Sequence, residues 1–422
     1  MLQPKITQVA PDIDPIAVAR ARRGSAGGLF QRFDLQTRLL QRSLVTLSAD
    51  PVAGASLAAA LESGLQKKRA GEYVGLLIFS GFEALVGAEA GVAPGTPPFL
   101  VLGLRSYLDI DCLAGTACIV GDASPEDLLR PQERRRDLSR VATAATWVQD
   151  ASQAEHATRV GLIQDAIRNG EAEGAVLSIG LSKATAADPF DIYRACVARN
   201  PSPYGYVLNV GNFHLVGSSP LSFARIEGDR VIVETDAGTR PVTGDPNTDA
   251  AAEAQLRQSA KDAAEHDVVV QAELDALRTI AAGGQISVPV SREVRRFSHV
   301  MHLYTVLEAR LGAPGAVAQA LMALAPAAAV SGRPKPSAAR LGLRVEGAVR
   351  GPYGGFVGLI DRHDDADLAV VIRSLWISNG IASLRVGGKV VAGSDAAAEY
   401  AEALSKARFL VEAVEQAEGS GS

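Results

Sequence analysis

Three carboxylates and one arginine stand out as groups with chemistry to do. Glu399 and Glu402 are three residues apart in the Ala-rich run 396–415, so on a helix they share one face. Glu265 stands beside His266 in a second acidic, Ala-rich helical stretch, Thr248–Ile280. Carboxylates converging from two helices suit Mg²⁺, a hard ion that keeps waters and bridges to a substrate carboxylate. The spacing by itself fits solvated helix acids equally well. Arg373 is the one charge in the apolar run LAVVIRSLW. An arginine in a buried strand needs a partner carboxylate or an anion. His299 and His302 are three apart, but no Cys or third ligand stands at a useful spacing, which sets zinc aside.

The elements that must position these groups centre on 330–355, VSGRPKPSAARLGLRVEGAVRGPYGG. A turn carrying Pro334 and Lys335 leads into a short amphipathic helix. A Gly-Pro-Tyr-Gly-Gly segment then enters an apolar strand, Phe356–Ile360. Glycines this dense beside a Lys and a Tyr let backbone approach a small anion, though such segments also serve simply as turns.

Upstream, residues 1–50 read as partly helical and Ala53–Lys67 as a helix. Val74–Phe79, Phe99–Leu104 and Cys112–Val120 have strand character, and Pro125–Arg140 reads as a solvated helix or connector. Beyond a boundary near Thr146–Ser152 the elements alternate. Glu155–Asn169 is helical with Gly170 as its stop, Ala175–Ile179 is a strand, and Asp188-Pro189 opens a helix that runs to Asn200. Two short hairpins follow, Tyr204–Asn209 with Phe213–Gly217 and Ala224–Glu227 with Arg230–Val233. Gln285–Pro289 reads as a strand, Ser298–Leu311 as a helix, Asp367–Ser374 and Ile381–Val391 as strands, and Ala396–Glu415 as a terminal helix. The organisation expected is a half at 1–148, a larger unit at 149–417 and a flexible tail at 418–422.

Composition removes several function classes. The chain has 422 residues, 47% hydrophobic and 21% charged, which is a soluble globular balance with ample core. A net charge of -5 and no long basic run argue against nucleic acid and anionic membranes as partners. No apolar leader or stretch of bilayer length occurs, so a cytoplasmic protein is expected. The three cysteines form no CxxC pair and read as buried thiols.

Several segments together resemble the chorismate-binding domain of the anthranilate synthase component I family, which includes aminodeoxychorismate, isochorismate and salicylate synthases. They are NPSPYGYVLNVGNFHLVGSSP (200–220), AGTRPVTGD (237–245), AKDAAEH (260–266), RRFSHVMHL (295–303), SGRPK (331–335), RGPYGG (350–355) and SDAAAEYAEALSKAR (394–408). The resemblance covers roughly Glu155 to Val414, with LVLGLRSYLD (100–109) a looser match in the first half. It implies an α/β (α+β) fold: a sandwich of two large, mainly antiparallel sheets with helices outside and the pocket between them.

The resemblance also implies roles. Glu265 and Glu402, with Glu399 beside them, match the Mg²⁺ ligands that hold the ring carboxylate. Tyr353 and Arg373 match the pair that grips the enolpyruvyl carboxylate, helped by the amides of Gly387 and Gly388. His302 would stand near the reacting ring and Lys406 near its carboxylate, with Thr239, Ser331 and Gly332 in turns lining the pocket. Such a pocket suits a small dianion, which needs a metal, an arginine and oriented backbone donors. Chorismate or a relative is therefore the expected partner, with ammonia or a glutaminase subunit as a possible nitrogen source.

The departures fall on proton transfer. Where the family carries a Lys or Gln that guides the attacking water or ammonia, this chain has Gly174. Where GSSPE supplies a Glu that protonates the departing hydroxyl, it has GSSPL, with Leu221. The usual GAG turn becomes Gly387-Gly388-Lys389. Losing one general acid or base costs a factor of about 10² to 10⁴. The reading is a Mg²⁺-dependent, chorismate-utilising enzyme with altered acid/base residues, Glu173 or His214 being possible substitutes. A non-catalytic chorismate-binding or partner subunit is the alternative.

Overall fold

The computed structural model describes residues 4–34, 36–87, 91–129, 145–296, 300–313 and 316–419. The first part holds strands β1 (Ile6–Val9), β2 (Gly27–Phe33), β3 (Leu40–Pro51), β4 (Gly75–Ser80), β5 (Phe99–Asp111) and β6 (Thr116–Gly121). Helices α1 (Pro15–Ala21), α2 (Leu57–Arg69) and the single turn α3 (Glu83–Val86) lie between them. The chain continues through β7 (Val148–Gln149), α4 (Gln153–Arg168), β8 (Gly174–Ala184), α5 (Pro189–Arg199), β9 (Tyr204–Val210) and β10 (Phe213–Ser219). Then come β11 (Ser222–Glu227), β12 (Arg230–Pro241), α6 (Pro246–Gln258), α7 (Ala260–Arg278), β13 (Ala281–Arg296), β14 (Val300–Leu311) and α8 (Val317–Leu324). The last elements are β15 (Gly332–Arg333), α9 (Lys335–Glu346), β16 (Phe356–Ile360), β17 (Ala366–Val370), β18 (Ser374–Ser378), β19 (Ile381–Val390) and α10 (Ala396–Gly419).

Among the described residues the strand pairings are antiparallel, and most form two arms that meet at β5, with β6 and β1 added beside β5 and the short β7 and β15 beside β8. One arm runs β5–β3–β2–β9–β10–β18–β19–β8. The other runs β5–β4–β16–β17–β11–β12–β14–β13. The arms are the two sheets of the expected sandwich, here continuous through one long strand. Their facing sides share an apolar cluster that includes Phe30, Tyr206 and Leu215 from the first sheet and Phe79, Val357 and Leu359 from the second. Helices cover the outer faces. Residues of α1, α5 and α10 pack on the first sheet, and residues of α2, α7 and α8 on the second. This is the layering that lets each element bury its apolar face.

Local signals explain the helix ends. Ser152 and Glu155 close a capping box at α4, and Asp188 caps α5 with Pro189 behind it. Ser259 caps α7 and breaks the acidic stretch into α6 and α7. Gly347, at φ 62°, ends α9 in the left-handed conformation that glycine adopts without a Cβ clash.

Two expectations fail here. Residues 300–311 form β14, a central strand between β12 and β13, rather than a helix; 298 and 299 lie outside the described residues. Most of β14 is buried, which erases the alternation that separates a strand from a buried helix. Residues 1–50 are partly helical as expected, through α1, and also supply strands β1, β2 and most of β3. The strand expected over Asp367–Ser374 ends at Val370, and β18 begins at Ser374. Between them the chain crosses from one sheet to the other, and Arg373 takes a left-handed φ of 51°. A second crossing, from β10 to β11, lies alongside: Ser218 N donates to Arg373 O and Val370 N to Leu221 O. The expected connector at 125–140 starts as a 3-10 turn, Pro125–Leu129, and its remainder lies outside the described residues, as do 420–422 of the tail. Glu418 is the last full turn of α10, where it pairs with Lys183 at 2.7 Å.

Candidate active site

Helix α10 begins at a tight turn in which Ser394 Oγ donates to Glu399 at 2.9 Å and accepts from Val391 N. From there Glu399, Glu402 and Lys406 share a face directed at β19. Lys406 Nζ donates to Gly387 O at 2.9 Å and pairs with Glu402 at 2.8 Å. A Cβ on Gly388 would come within 2.9 Å of Glu399 Oε2, the free end of a flexible side chain. A Cβ on Gly387 would fall 2.1 Å from Leu177 O on β8. Pairing with β18 ends at Leu384, so beyond it β19 has β8 on one side and no strand on the other among the described residues.

The second sheet supplies the opposing groups. Glu265 projects from α7, and burial raises its carboxyl against the pull of Lys261 and Lys389. Burial also raises Glu399, reinforced by the like charges of Glu402 and Glu265, while Ser394 and Lys406 oppose. Desolvation would lift Glu402 as well, but Lys406, Arg373 and His302 hold it below the usual glutamate range. His302 lies on β14 opposite Thr239, beside a bulge at Gly238 whose carbonyl stands 3.0 Å from its Nδ1. Burial lowers the Arg373 guanidinium, against the attraction of Glu402, Tyr353 and Asp236. The buried Tyr353 phenol is pushed up to about 12, chiefly by desolvation.

The geometry thus gathers Glu265, Glu399, Glu402, His302, Lys406, Tyr353, Arg373, Gly387 and Gly388 around one space. That space lies where α7, β12 and β14 of one sheet meet β19 and α10 of the other, beside the apolar interior. Arg373 makes no side-chain hydrogen bond or ion pair among the described residues; its guanidinium lies 6.0 Å from the Phe409 ring centroid. Its possible structural partners are committed elsewhere, Glu346 to Arg350 and Asp367 to Arg32 and Tyr204.

Other expected residues do different work. Ser331 donates to Ala327 O at 2.8 Å, and Gly332 packs so tightly on Gly174 that a Cβ would lie 2.0 Å from the Gly174 carbonyl oxygen. Both hold β15 to β8. Leu221 is buried in the large apolar cluster with Phe223, Phe356 and Val370. Of the two substitutes, Glu173 is bound by Arg333 at 2.9 Å. His214 bonds to Asn209 at 2.7 Å opposite Ile377, three residues along β10 from Gly217, which faces Ser374. Lys335 is buried and committed internally, donating to Glu273 and to Leu324 O, both at 2.7 Å. His266 is a structural histidine, bonded to Thr305 at 2.7 Å and lowered by burial to about 4. His299 lies outside the described residues.

Two pocket groups escape the sequence reading: Asp236 on β12 and Lys389 on β19. Desolvation lowers the Lys389 ammonium to about 8, with Glu265, Glu273 and Asp236 opposing. The signal for Lys389 is close to the one that marks Arg373, a charge in an apolar strand, here SLRVGGKVV, which it shares with Arg385. Beneath the pocket lies a second charge cluster. Arg350, fully buried, donates to Glu346 at 2.7 and 3.0 Å and to the carbonyls of Val330 and Val176. Arg385 joins Glu346 to Ser178 and Asp150. Glu83 accepts from the amides of Arg350 and Gly351, fixing the turn that presents Tyr353.

Among the described residues no three His, Cys, Asp or Glu side chains are close enough to form a ready metal cage. The three pocket glutamates each lean on a local partner: Lys261 at 3.6 Å, Ser394, and Lys406. A separate cleft of about 370 Å³ opens near Arg32, Arg42 and Asp367, but its arginines are paired, Arg32 with Asp367 and Arg42 with Asp109. It contains none of the pocket groups described above. No helix among the described residues is long and apolar enough to cross a membrane.

Comparison with known proteins gives this geometry a context. Residues 26–412 match the family model described as chorismate binding enzyme. Anthranilate synthase component 1 of Streptomyces coelicolor is 36% identical over 275 residues, 65% of this chain and 54% of that protein. Its counterpart in Pseudomonas aeruginosa is 32% identical over 346 residues, 77% of this chain and 70% of that one. The chain therefore spans little more than half of the Streptomyces protein. Among solved structures, anthranilate synthase component I from Streptococcus pneumoniae superposes with a TM-score of 0.72 at 24% identity, covering 97% of this chain and 92% of that one. The menaquinone-specific isochorismate synthase from Escherichia coli gives 0.79 at 19% identity, covering 98% and 96%. With the family model matched over most of its length and the fold shared end to end, the chain belongs to the chorismate-binding enzyme family.

Proposed function

We propose that the protein binds chorismate, or a close chorismate-derived dicarboxylate, together with Mg²⁺ in the cytoplasm, and converts it by amination or by elimination of the enolpyruvyl group. The observation that carries this reading is Arg373, a desolvated cation with no hydrogen-bonded or ion-paired side chain among the described residues, placed beside carboxylates that repel one another. A dianion and a divalent cation together would satisfy both halves of that imbalance.

In this reading Arg373 and Tyr353 take the enolpyruvyl carboxylate, and the open edge of β19 offers the Gly387 amide to the same group, with Gly388 beside it in the ladder. His302 and Lys406 stand beside the ring. Glu265, Glu399 and Glu402 are all hard oxygen donors, the right kind for Mg²⁺, and burial and mutual repulsion already press Glu265 and Glu399 toward accepting positive charge. With too few side chains in reach for a cage, the substrate carboxylate and waters would complete the coordination. When bound, the ion supplies the charge that neutralises the ring carboxylate.

Gly174 and Leu221 cannot move a proton, so ordinary displacement of the ring hydroxyl should be slow. Elimination of the enolpyruvyl ether depends more on shape and electrostatics. Ammonia, free or delivered by a glutaminase subunit, is the nitrogen source for the amination route. One observation favours a second reading, a non-catalytic chorismate-binding subunit: Leu221 is enclosed by hydrocarbon. Calorimetry with chorismate, with and without Mg²⁺, followed by assays for product fluorescence and pyruvate, tests the proposal. Mg²⁺-dependent binding with pyruvate release is the expected result. Binding without turnover selects the second reading, and no binding removes both. Anthranilate or isochorismate formed at ordinary family rates would refute the loss of the acid/base pair.

A further inference from the structure

A side chain at position 174 would enter space that another residue already fills. A Cβ built on Gly174 lies 3.6 Å from Lys389 Cδ, with Val391 Cγ1 and Val390 O both at 3.3 Å. The backbone at 174 is not in the left-handed region, so conformation does not demand a glycine there. Lys389 belongs to the adjacent strand, where it pairs with Val176 in the β19–β8 ladder.

Its ammonium looks into the pocket described above. Asp236 acts on both Lys389 and Arg373, and Glu265 acts on both Lys389 and Glu399, so Lys389 shares its surroundings with the binding groups. Lys389 also makes no hydrogen bond or close ion pair among the described residues. Glu273, the most deeply buried carboxylate that acts on it, is already saturated by Lys335 and the amide of Ala328. A half-buried cation left in this state has hydrogen-bonding capacity to offer a ligand.

We propose that Lys389 is the substrate-facing residue that replaces the side chain missing at Gly174, presented from β19 instead of β8. This rests on the reading of the site as a pocket for a chorismate-like dianion. The ammonium contributes a second cation beside Arg373 and donates to an oxygen of the bound dicarboxylate or to the incoming nucleophile. The reach of the group is kept while its anchor point has moved across the ladder.

The test uses the full chain and three measurements: calorimetric affinity for chorismate at saturating Mg²⁺, affinity for Mg²⁺ alone, and thermal melting. Lys389→Met keeps the stem and removes the charge. It should weaken chorismate binding by about tenfold or more, leaving melting and Mg²⁺ affinity near wild type. The transplant Gly174→Lys with Lys389→Gly should recover most of that loss. The inference is overturned if Lys389→Met binds chorismate as wild type does. It is overturned equally if the variant melts lower and the transplant recovers nothing, which would make Lys389 an internal counter-ion. Tighter Mg²⁺ binding with unchanged chorismate binding would assign Lys389 to the metal's place and also end the inference. A wild-type protein that binds no chorismate removes the underlying reading, an outcome distinct from each of these.

Discussion

The molecule holds two clusters of charge, and they are built in opposite ways. In the Arg350–Glu346–Arg385 cluster every ion is answered: Arg350 has four hydrogen bonds, and Glu346 has two arginines, the Ser178 hydroxyl and the Ser178 amide. In the pocket above it Arg373 and Lys389 have no hydrogen bond or close ion pair among the described residues, and Glu265 and Glu399 are pushed up by burial. A saturated buried network fixes the backbone, whereas an unsaturated one stores an affinity for whatever completes it. Burial separates them too, since Arg350, Glu346 and Arg385 are buried while Arg373, Lys389, Glu265 and Glu399 are half-buried. The number of available partners separates them further.

The comparison can be broken most directly at its saturated side. Glu346→Gln leaves Arg350 and Arg385 without their shared carboxylate, and removing one partner of a buried pair costs about 3–5 kcal/mol. Denaturant unfolding should show that loss, and a variant as stable as wild type would mean the cluster is not structural. At the unsaturated side, Arg373→Ala should leave the melting temperature almost unchanged, since no pair is broken. Chorismate affinity should fall by about 2 kcal/mol, roughly 30-fold. The reverse pattern, lost stability with normal binding, would move Arg373 into the structural class.

Smaller effects sharpen the contrast. Glu265→Gln or Glu402→Gln removes a full ligand charge and should reduce Mg²⁺-dependent binding by about tenfold or more. Unchanged Mg²⁺ dependence in both variants would end the metal assignment. The smallest effect concerns His156, which is buried between α4 and Tyr400 of α10, with Nδ1 unpartnered among the described residues. Burial lowers its pKa below the ordinary 6.5, with Arg159 reinforcing the shift. Its neutral form therefore adds stability above pH 6.5 that is lost as pH falls toward the depressed folded value, because the unfolded chain takes the proton first. His156→Phe should flatten the fall in melting temperature between neutral and mildly acidic pH. An unchanged pH slope would show that the unpartnered nitrogen has no energetic consequence outside the pocket.

The grouping of the candidate site residues is legible chiefly through the family resemblance, since spacing by itself fits solvated helix acids equally well. Glu399, Glu402 and Lys406 need only one helix to share a face, and RGPYGG delivers Tyr353 on a turn. Lys389 is harder to read, since its meaning depends on Gly174, more than 200 positions away and adjacent only through the β8–β19 register. In RGPYGG attention falls on the glycines, yet the arginine that opens the motif is the most deeply buried charge in the structure. β14 defeats periodicity because both its faces are covered, and Arg373 reads as a strand residue because hydrophobicity does not reveal a crossing between sheets. Helix ends were the most readable feature, as caps are local chemistry.

The order of strands has a consequence for any attempt to work with the 149–417 unit alone. β9 has β10 on one side and β2 on the other, and β16 has β17 on one side and β4 on the other. A chain severed before Val148 would leave two bare ladders, along β9 and along β16, each lined by unpaired amides and carbonyls and flanked by apolar faces. Such edges recruit other strands. The excised unit should therefore associate with itself when made alone. Made together with the 1–147 piece, it has a matching template for each edge, and the two fragments should complement one another into a single working molecule.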